Sequence, residues 1–282
     1  MKNCKVTSIR KWLASLIILT ASQASAQYYY SDIISTRQIN TQYHLLKTGN
    51  IKSVELSSFE RNNEPTDGFK GNQKIDQKDN KVVLYTRTNA TGETFFTAWY
   101  NNQDMLVHSI DSSQEAVDES FYEYDAQNRL LLIRTKSHSD NVSTTEIHQW
   151  QYNTNGIPSG MLRIRNNMDT LTVELIIDEK GLVTEERTFR KKQPQGTIYY
   201  YYDTQNRLSD IVRYNLKAKR LLPDYMFEYN ENGQLKQMIS IPEGSNNYLT
   251  WRYLYNEQGL KKMELCYSKE KELLGKVEYV YQ

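Results

Sequence analysis

The chain has 282 residues, with 35 basic and 34 acidic side chains and two cysteines. Residues 1–26 hold four of the basic residues and no acid, so without them 31 basic side chains face 34 acidic ones, a net of −3. A chain this balanced has no overall electrostatic footprint for nucleic acid or an anionic membrane. Of the cysteines only Cys266 lies beyond residue 26, so no intramolecular disulfide can staple the fold, and a buried core must hold it.

The first residues read as an export signal. Lys2, Lys5, Arg10 and Lys11 form a positive start, and Trp12 to Ala21 is an apolar run too short to cross a membrane as a mature helix. Ala24-Ser25-Ala26 is a small-residue cleavage site, which predicts a mature chain starting at Gln27 in the periplasm, at the cell surface or secreted. A retained N-terminal anchor is the competing reading. Cys4 precedes the run, which argues against a lipid-anchored protein. Residues 27–50 form a capping segment: Tyr28-Tyr29-Tyr30 begins a strand, or Ser31 caps a short helix through Leu46. Residues 57–80 read as a long polar connection.

The rest of the chain points to β structure. It is rich in Tyr, 22 in all, against 12 Gly and 5 Pro. Residues 51–282 repeat themselves. Tyr122-Glu123-Tyr124-Asp125, Tyr200-Tyr201-Tyr202-Asp203, Phe227-Glu228-Tyr229-Asn230 and Tyr253-Leu254-Tyr255-Asn256 are copies of one pattern. Taking the residue before each Asp or Asn as an anchor gives Ile75, Tyr100, Tyr124, Tyr152, Ile177, Tyr202, Tyr229, Tyr255 and Tyr281, about two dozen residues apart. A weaker copy is read at Leu45, with Gly49 and Ile51. After the anchors stand Asp76, Asn101, Asp125, Asn153, Asp178, Asp203, Asn230 and Asn256. Four residues after the anchor stand Asp79, Asp104, Asn128, Gly156, Gly181, Asn206, Gly233 and Gly259. The first position suits an Asx-turn and the second a left-handed backbone, so together they predict a tight hairpin of three to five residues.

Strands entering these turns alternate. Val173/Leu175/Ile177 and Trp251/Tyr253/Tyr255 share one face, and Glu174, Glu228, Arg252 and Glu278 lie on the other, where Tyr199, Tyr201 and Leu254 break the pattern. Each repeat is two antiparallel strands, one constant turn and one variable turn. The fold class expected is all-β: tandem β-hairpin repeats forming one long twisted or curled meander sheet. Such an array predicts that deleting residues 256–282 leaves a folded protein prone to edge association.

The pattern Tyr-x-Tyr-Asp-x-x-(Gly/Asn)-Arg-Leu resembles the YD repeat of bacterial Rhs-type proteins over residues 70–282. That resemblance implies a spiralling antiparallel sheet, which in the family usually forms a shell around a C-terminal toxin. Here Arg follows the turn only at Arg129 and Arg207, the period is longer, and the last strand ends at Tyr281-Gln282 with no room for a toxin. The architecture carries over and the toxin-delivery role does not.

No nucleotide-binding glycine loop, hydrolase elbow or zinc-protease motif is present. His44, His108, His138 and His148 have no metal-ligand spacing, and His148 reads as a packed or surface residue. The turn acids read as turn formers, too few per turn for calcium. Cys266 faces the side of Glu264 and reads as a bystander. No catalytic, cofactor-binding or metal-ligating residue is assigned, and no cofactor is expected. Trp150, Tyr200, Tyr202, Tyr229, Trp251, Tyr253 and Tyr255 form a possible binding face that also reads as core.

The first functional reading is an exported, non-enzymatic repeat scaffold of the cell envelope, binding an unidentified protein or glycan. The alternatives are an outer-membrane β-barrel and a fragment-like relative of Rhs toxin-delivery shells. The strand charges Lys261, Lys262 and Glu264, and Gln282 at the end, count against the barrel.

Overall fold

The structure, a computed structural model, describes residues 28–282 apart from 141, 217, 243, 244 and 246. The export signal read over 1–26 and the start at Gln27 lie outside the described residues.

One helix, α1 (Ser31–Thr48), precedes eighteen strands. These are β1 (Ser53–Glu60), β2 (Lys70–Asp76), β3 (Lys81–Thr88), β4 (Gly92–Tyr100), β5 (Leu106–Ser112) and β6 (Ala116–Tyr124). Next come β7 (Leu130–Ser139), β8 (Val142–Tyr152), β9 (Pro158–Arg165), β10 (Asp169–Ile177), β11 (Val183–Arg190) and β12 (Gln193–Tyr202). The last are β13 (Leu208–Asn215), β14 (Arg220–Tyr229), β15 (Leu235–Ser240), β16 (Leu249–Tyr255), β17 (Lys261–Tyr267) and β18 (Leu273–Tyr281). Every strand pairs antiparallel with its sequence neighbours, and β1 also pairs with β18.

That last pairing corrects the expected open or curled meander: the sheet is a closed eighteen-stranded β-barrel. The seam sets Val54 against Tyr281, Leu56 against Tyr279 and Ser58 against Val277. The amides of Lys52 and Ser53 add bonds to the Gln282 carbonyl. Closure removes both sheet edges, whose backbone groups would otherwise lack partners. Repetition reports only neighbour-to-neighbour pairing, and β1 carries no repeat signature, so the seam left no mark in the pattern.

Two further expectations change. Residues 57–80 are not a polar connection, because they contain the end of β1 and all of β2. The inward side of β2 is Gly71, Gln73 and Ile75, too polar to show a stripe. A side chain at Gly71 would stand 2.7 Å from Leu56 Cβ, so β2 must be small there. The weak copy at Leu45 is also not a hairpin: Leu45 is helical, and Gly49 caps α1. The helical option for the capping segment is the one taken, with Tyr30 as N-cap and Ser31 as the first helical residue.

The constant turns all lie at one end of the barrel. Left-handed residues occur at Asp104, Asn128, Gly156, Gly181, Asn206, Gly233 and Gly259, with φ between 60° and 82°. The first copy departs by one residue, since Asn80 rather than Asp79 is left-handed. The Oδ1 atoms of Asp125, Asn153, Asp178, Asp203 and Asn256 each accept backbone N–H bonds from two and four residues on. Asn230 accepts from Gln234. Most of these hairpins carry a one-residue register shift at the anchor, a bulge that turns the chain. At Gly233, φ is 77° and nothing lies within 4 Å of an added Cβ, so only the backbone objects to a side chain there. Gly233→Val is expected to lower stability by about 1–2 kcal/mol in denaturant unfolding. An unchanged midpoint would contradict the turn assignment.

Six of the anchor tyrosines tie their strand to the constant-turn hairpin before it. The hydroxyls of Tyr124, Tyr152, Tyr202, Tyr229, Tyr255 and Tyr281 donate at 2.6–2.8 Å to the carbonyls of Leu106, Leu130, Val183, Leu208, Leu235 and Lys261, each at the start of the adjacent strand. Each such bond contributes about 1 kcal/mol. Arg129 and Arg207 tie the turn Asp125 and Asp203 to the next repeat, since their guanidinium groups lie 4.9 and 4.7 Å from the ring centres of Tyr152 and Tyr229.

Candidate functional site

Alternation sends most of the apolar residues inward, although Phe95, Tyr201, Met226, Leu254 and Val280 stand exposed. Leu171, Val173 and Leu175 are buried, while Thr170, Thr172 and Glu174 between them are exposed. An eighteen-stranded barrel encloses more space than its wall side chains fill. In this barrel α1 lies in the constant-turn mouth. Tyr43 stacks on Tyr100 at 3.7 Å and 6°. Lys47 Nζ and His44 Nδ1 meet the two oxygens of Asp104 at 2.6 and 2.8 Å, and Asn40 Oδ1 accepts the Leu106 amide at 2.8 Å. The far end of the helix carries Tyr29 and Ile33 into a second cluster with Trp150, Met161, Val173, Ile198, Tyr200 and Ile211.

Two polar groups latch the start of the helix to the wall. Glu186 of β11 is completely buried, accepting the Tyr29 and Tyr30 amides at 2.9 and 2.8 Å and the Tyr200 hydroxyl at 2.8 Å. Burial pushes its carboxyl up to about 7, against the pull of those three bonds. Asp32 of α1 takes His148 Nδ1 at 2.7 Å and Trp150 Nε1 at 3.2 Å, and His148 Nε2 faces Glu146 Oε1 at 2.9 Å. Burial works against a charge on His148, but the two carboxylates outweigh it and push the imidazole up to about 9. These groups direct their hydrogen bonds at one another, which fixes the helix rather than presenting a reactive group to an open cleft.

The expected binding face is the inward face. Trp150 and Tyr200 are buried against the helix start. Tyr202, Tyr229 and Tyr255 spend their hydroxyls on the hairpin carbonyls. Trp251 and Tyr253 are half-buried on the inner side of β16, outside the two helix clusters. His148 is the buried ion-pair member just described. Cys266 is buried on the same side as Glu264, and desolvation pushes its thiol up to about 12. Lys261 and Glu264 face inward and pair with each other, so they do not count against a lipid-facing wall as the sequence suggested. Among the described residues, no group of three His, Cys, Asp or Glu side chains is placed to hold a metal ion. No described helix is long and apolar enough to cross a membrane, which leaves open crossing by strands. Sequence reasoning missed Glu186. Its inward position could be counted only with the bulge at Ile176/Ile177 in hand, since that bulge shifts the register of the strand leaving the turn.

No protein-family model matches the chain, and no curated protein matches it in sequence. Among solved structures it is similar to a crystal structure of TcdB2-TccC3-Cdc42, with 11% identity and a TM-score of 0.34 over 73% of this chain and 12% of that one. A Photorhabdus luminescens Tc holotoxin pore gives 13% identity and a TM-score of 0.29 over 83% of this chain and 17% of that one. A porin-like protein from Bacteroides uniformis gives 11% identity and a TM-score of 0.38, over 82% of this chain and 98% of that one. The chain thus spans under a fifth of the toxin components and nearly the whole length of the porin-like protein. Likenesses of this size bring no activity to this chain. Closure itself matches the barrel alternative better than the open scaffold.

Proposed function

We propose that the chain is an exported, non-enzymatic, porin-shaped β-barrel of the cell envelope whose wall stands in water and whose helix seals one mouth. The observation that carries this reading is the sidedness of the wall. A lipid-spanning barrel has an apolar outer band about 25 Å tall and a polar interior. Here the buried inner face is largely aromatic and aliphatic but also holds His148, Arg163, Glu186 and Glu264, so the outer face decides: charges stand on it in the middle of strands, at Glu119, Arg134, Glu174, Arg187, Arg252 and Lys276. Glu174 lies directly opposite Arg187, and Glu119 opposite Lys136. Such exposed pairs are cheap in water, whereas a single Arg or Lys on the lipid face at the bilayer midplane costs roughly 2–4 kcal/mol. The variable hairpins at the open end are the part that can change without disturbing the wall, and they are the surface we assign to partner binding. Cell fractionation tests the reading. The protein is expected to leave the envelope on osmotic shock or a salt or alkaline wash, without detergent. Release only by detergent would return it to the lipid-spanning alternative.

A further inference from the structure

Net charge near zero suggested no affinity for an anionic surface, but the fold sorts the charges. At the variable-turn end, the tips of three adjacent hairpins, β9–β10, β11–β12 and β13–β14, form a basic arc. Lys191, Lys192, Lys219 and Arg220 are all exposed, and none makes an ion pair among the described residues. Asp169, the acid at these tips, is already held by Arg163 and Arg190. On the other side of the ring, hairpins β3–β4 and β5–β6 carry Glu93, Asp111, Glu115 and Asp118 instead.

Two apolar side chains stand among the cations. Met168 is 85% exposed and Leu216 83%, each at the tip of its hairpin. The lysines also sit where lysine is costly. Lys191, Lys192 and Lys219 have φ of 49°, 66° and 53°, whereas the neighbouring hairpin makes its turn with Asn166 and Asn167 at 50° and 57°. Asn or Gly would suit those backbones better, so stability of the turn does not explain the lysines.

We propose that this arc is a docking surface for anionic lipid headgroups, with Lys191, Lys192, Lys219 and Arg220 facing the phosphates and Met168 and Leu216 entering the interface. The charge complementarity fits a phospholipid surface, and the protruding Met and Leu distinguish that surface from a nucleic acid, which has no apolar layer to receive them. The inference rests on the water-facing wall, since only a barrel outside the bilayer presents its rim to a membrane in this way.

Sedimentation of the mature chain with phosphatidylcholine vesicles, with and without phosphatidylglycerol, tests it. Binding is expected only with phosphatidylglycerol, and to weaken with salt. K191N/K192G should weaken binding by roughly 25-fold, at about five-fold per cation. Its denaturant midpoint should stay equal or rise, because the new residues suit the left-handed turn. Met168→Ser with Leu216→Ser should also weaken vesicle binding. The proposal falls if the wild type ignores phosphatidylglycerol, or if K191N/K192G binds as well as the wild type. It also falls if the serine variant binds unchanged, or if duplex DNA is bound more tightly than the vesicles; either result would make the arc a general anion surface. Equal insertion into neutral and anionic vesicles would instead overturn the water-facing wall.

Discussion

Removing residues 256–282 is expected to unfold the barrel, not to shorten it. The deletion takes away β17 and β18, and with them the seven-residue seam to β1. It strips Leu260, Val277 and Tyr279 from the cluster around Tyr43 and Leu46. β1 and β16 become bare edges, and one wall of the helix's seat disappears. An open array loses only local terms when its last unit is cut, which is why the repeat by itself predicts survival. Closure reverses the prediction. Circular dichroism and size exclusion of the truncated chain should show loss of the cooperative β transition and aggregation. A folded, stable truncation would contradict the seam.

The second large effect lies at the helix latch and depends on pH. Glu186 has a carboxyl raised from 4.5 to about 7, so the folded state prefers it neutral; its contribution is present below about 4.5 and is lost as pH rises through about 7. His148 is raised from 6.5 to about 9, so the folded state prefers it charged; its contribution is present below about 6.5 and is lost as pH rises through about 9. Both slopes run the same way. Stability should fall by several kcal/mol between mildly acid and alkaline pH, since each tenfold gain in proton affinity on folding is worth about 1.4 kcal/mol. Glu186→Gln should flatten the lower part of that decline and His148→Asn the upper part, measured as denaturant midpoints across the range. Glu186→Ala should cost about 3 kcal/mol or more, because it leaves the Tyr29 and Tyr30 amides and the Tyr200 hydroxyl without their acceptor. A flat wild-type profile would contradict the latch.

The constant turns were legible in the sequence because each rests on two local requirements, an Asx acceptor and a left-handed residue, written at fixed offsets. The inward face was legible on strands entering those turns, since Val173, Leu175 and Tyr200 keep strict alternation up to the anchor. It was lost on strands leaving them, where a bulge shifts the register by one and conceals Glu186. The role of the anchor Tyr was missed: in the sequence it reads as core or binding face, whereas the recurring hydroxyl donates to a carbonyl of the adjacent strand. The closure of β1 on β18 and the docking of α1 were not legible, because both are single long-range contacts that no repeat can report. The rim was hidden for another reason. Lys191, Lys192, Lys219 and Arg220 are spread among acids along the chain, and only the antiparallel topology gathers them at one end.

The central claim, a closed barrel whose charge-bearing outer wall faces water, is tested most directly by thiol labelling. The chain's own Cys266 is buried with a raised pKa and should stay silent in the folded protein. Glu174→Cys and Arg134→Cys place thiols on the outer wall at mid-height, and Val173→Cys places one on the inner wall beside the first. With a membrane-impermeant maleimide and no detergent, in isolated envelopes, the first two are expected to label rapidly and the third only after denaturation. Outer-wall thiols that label only once detergent is added would put lipid against the wall and contradict the account.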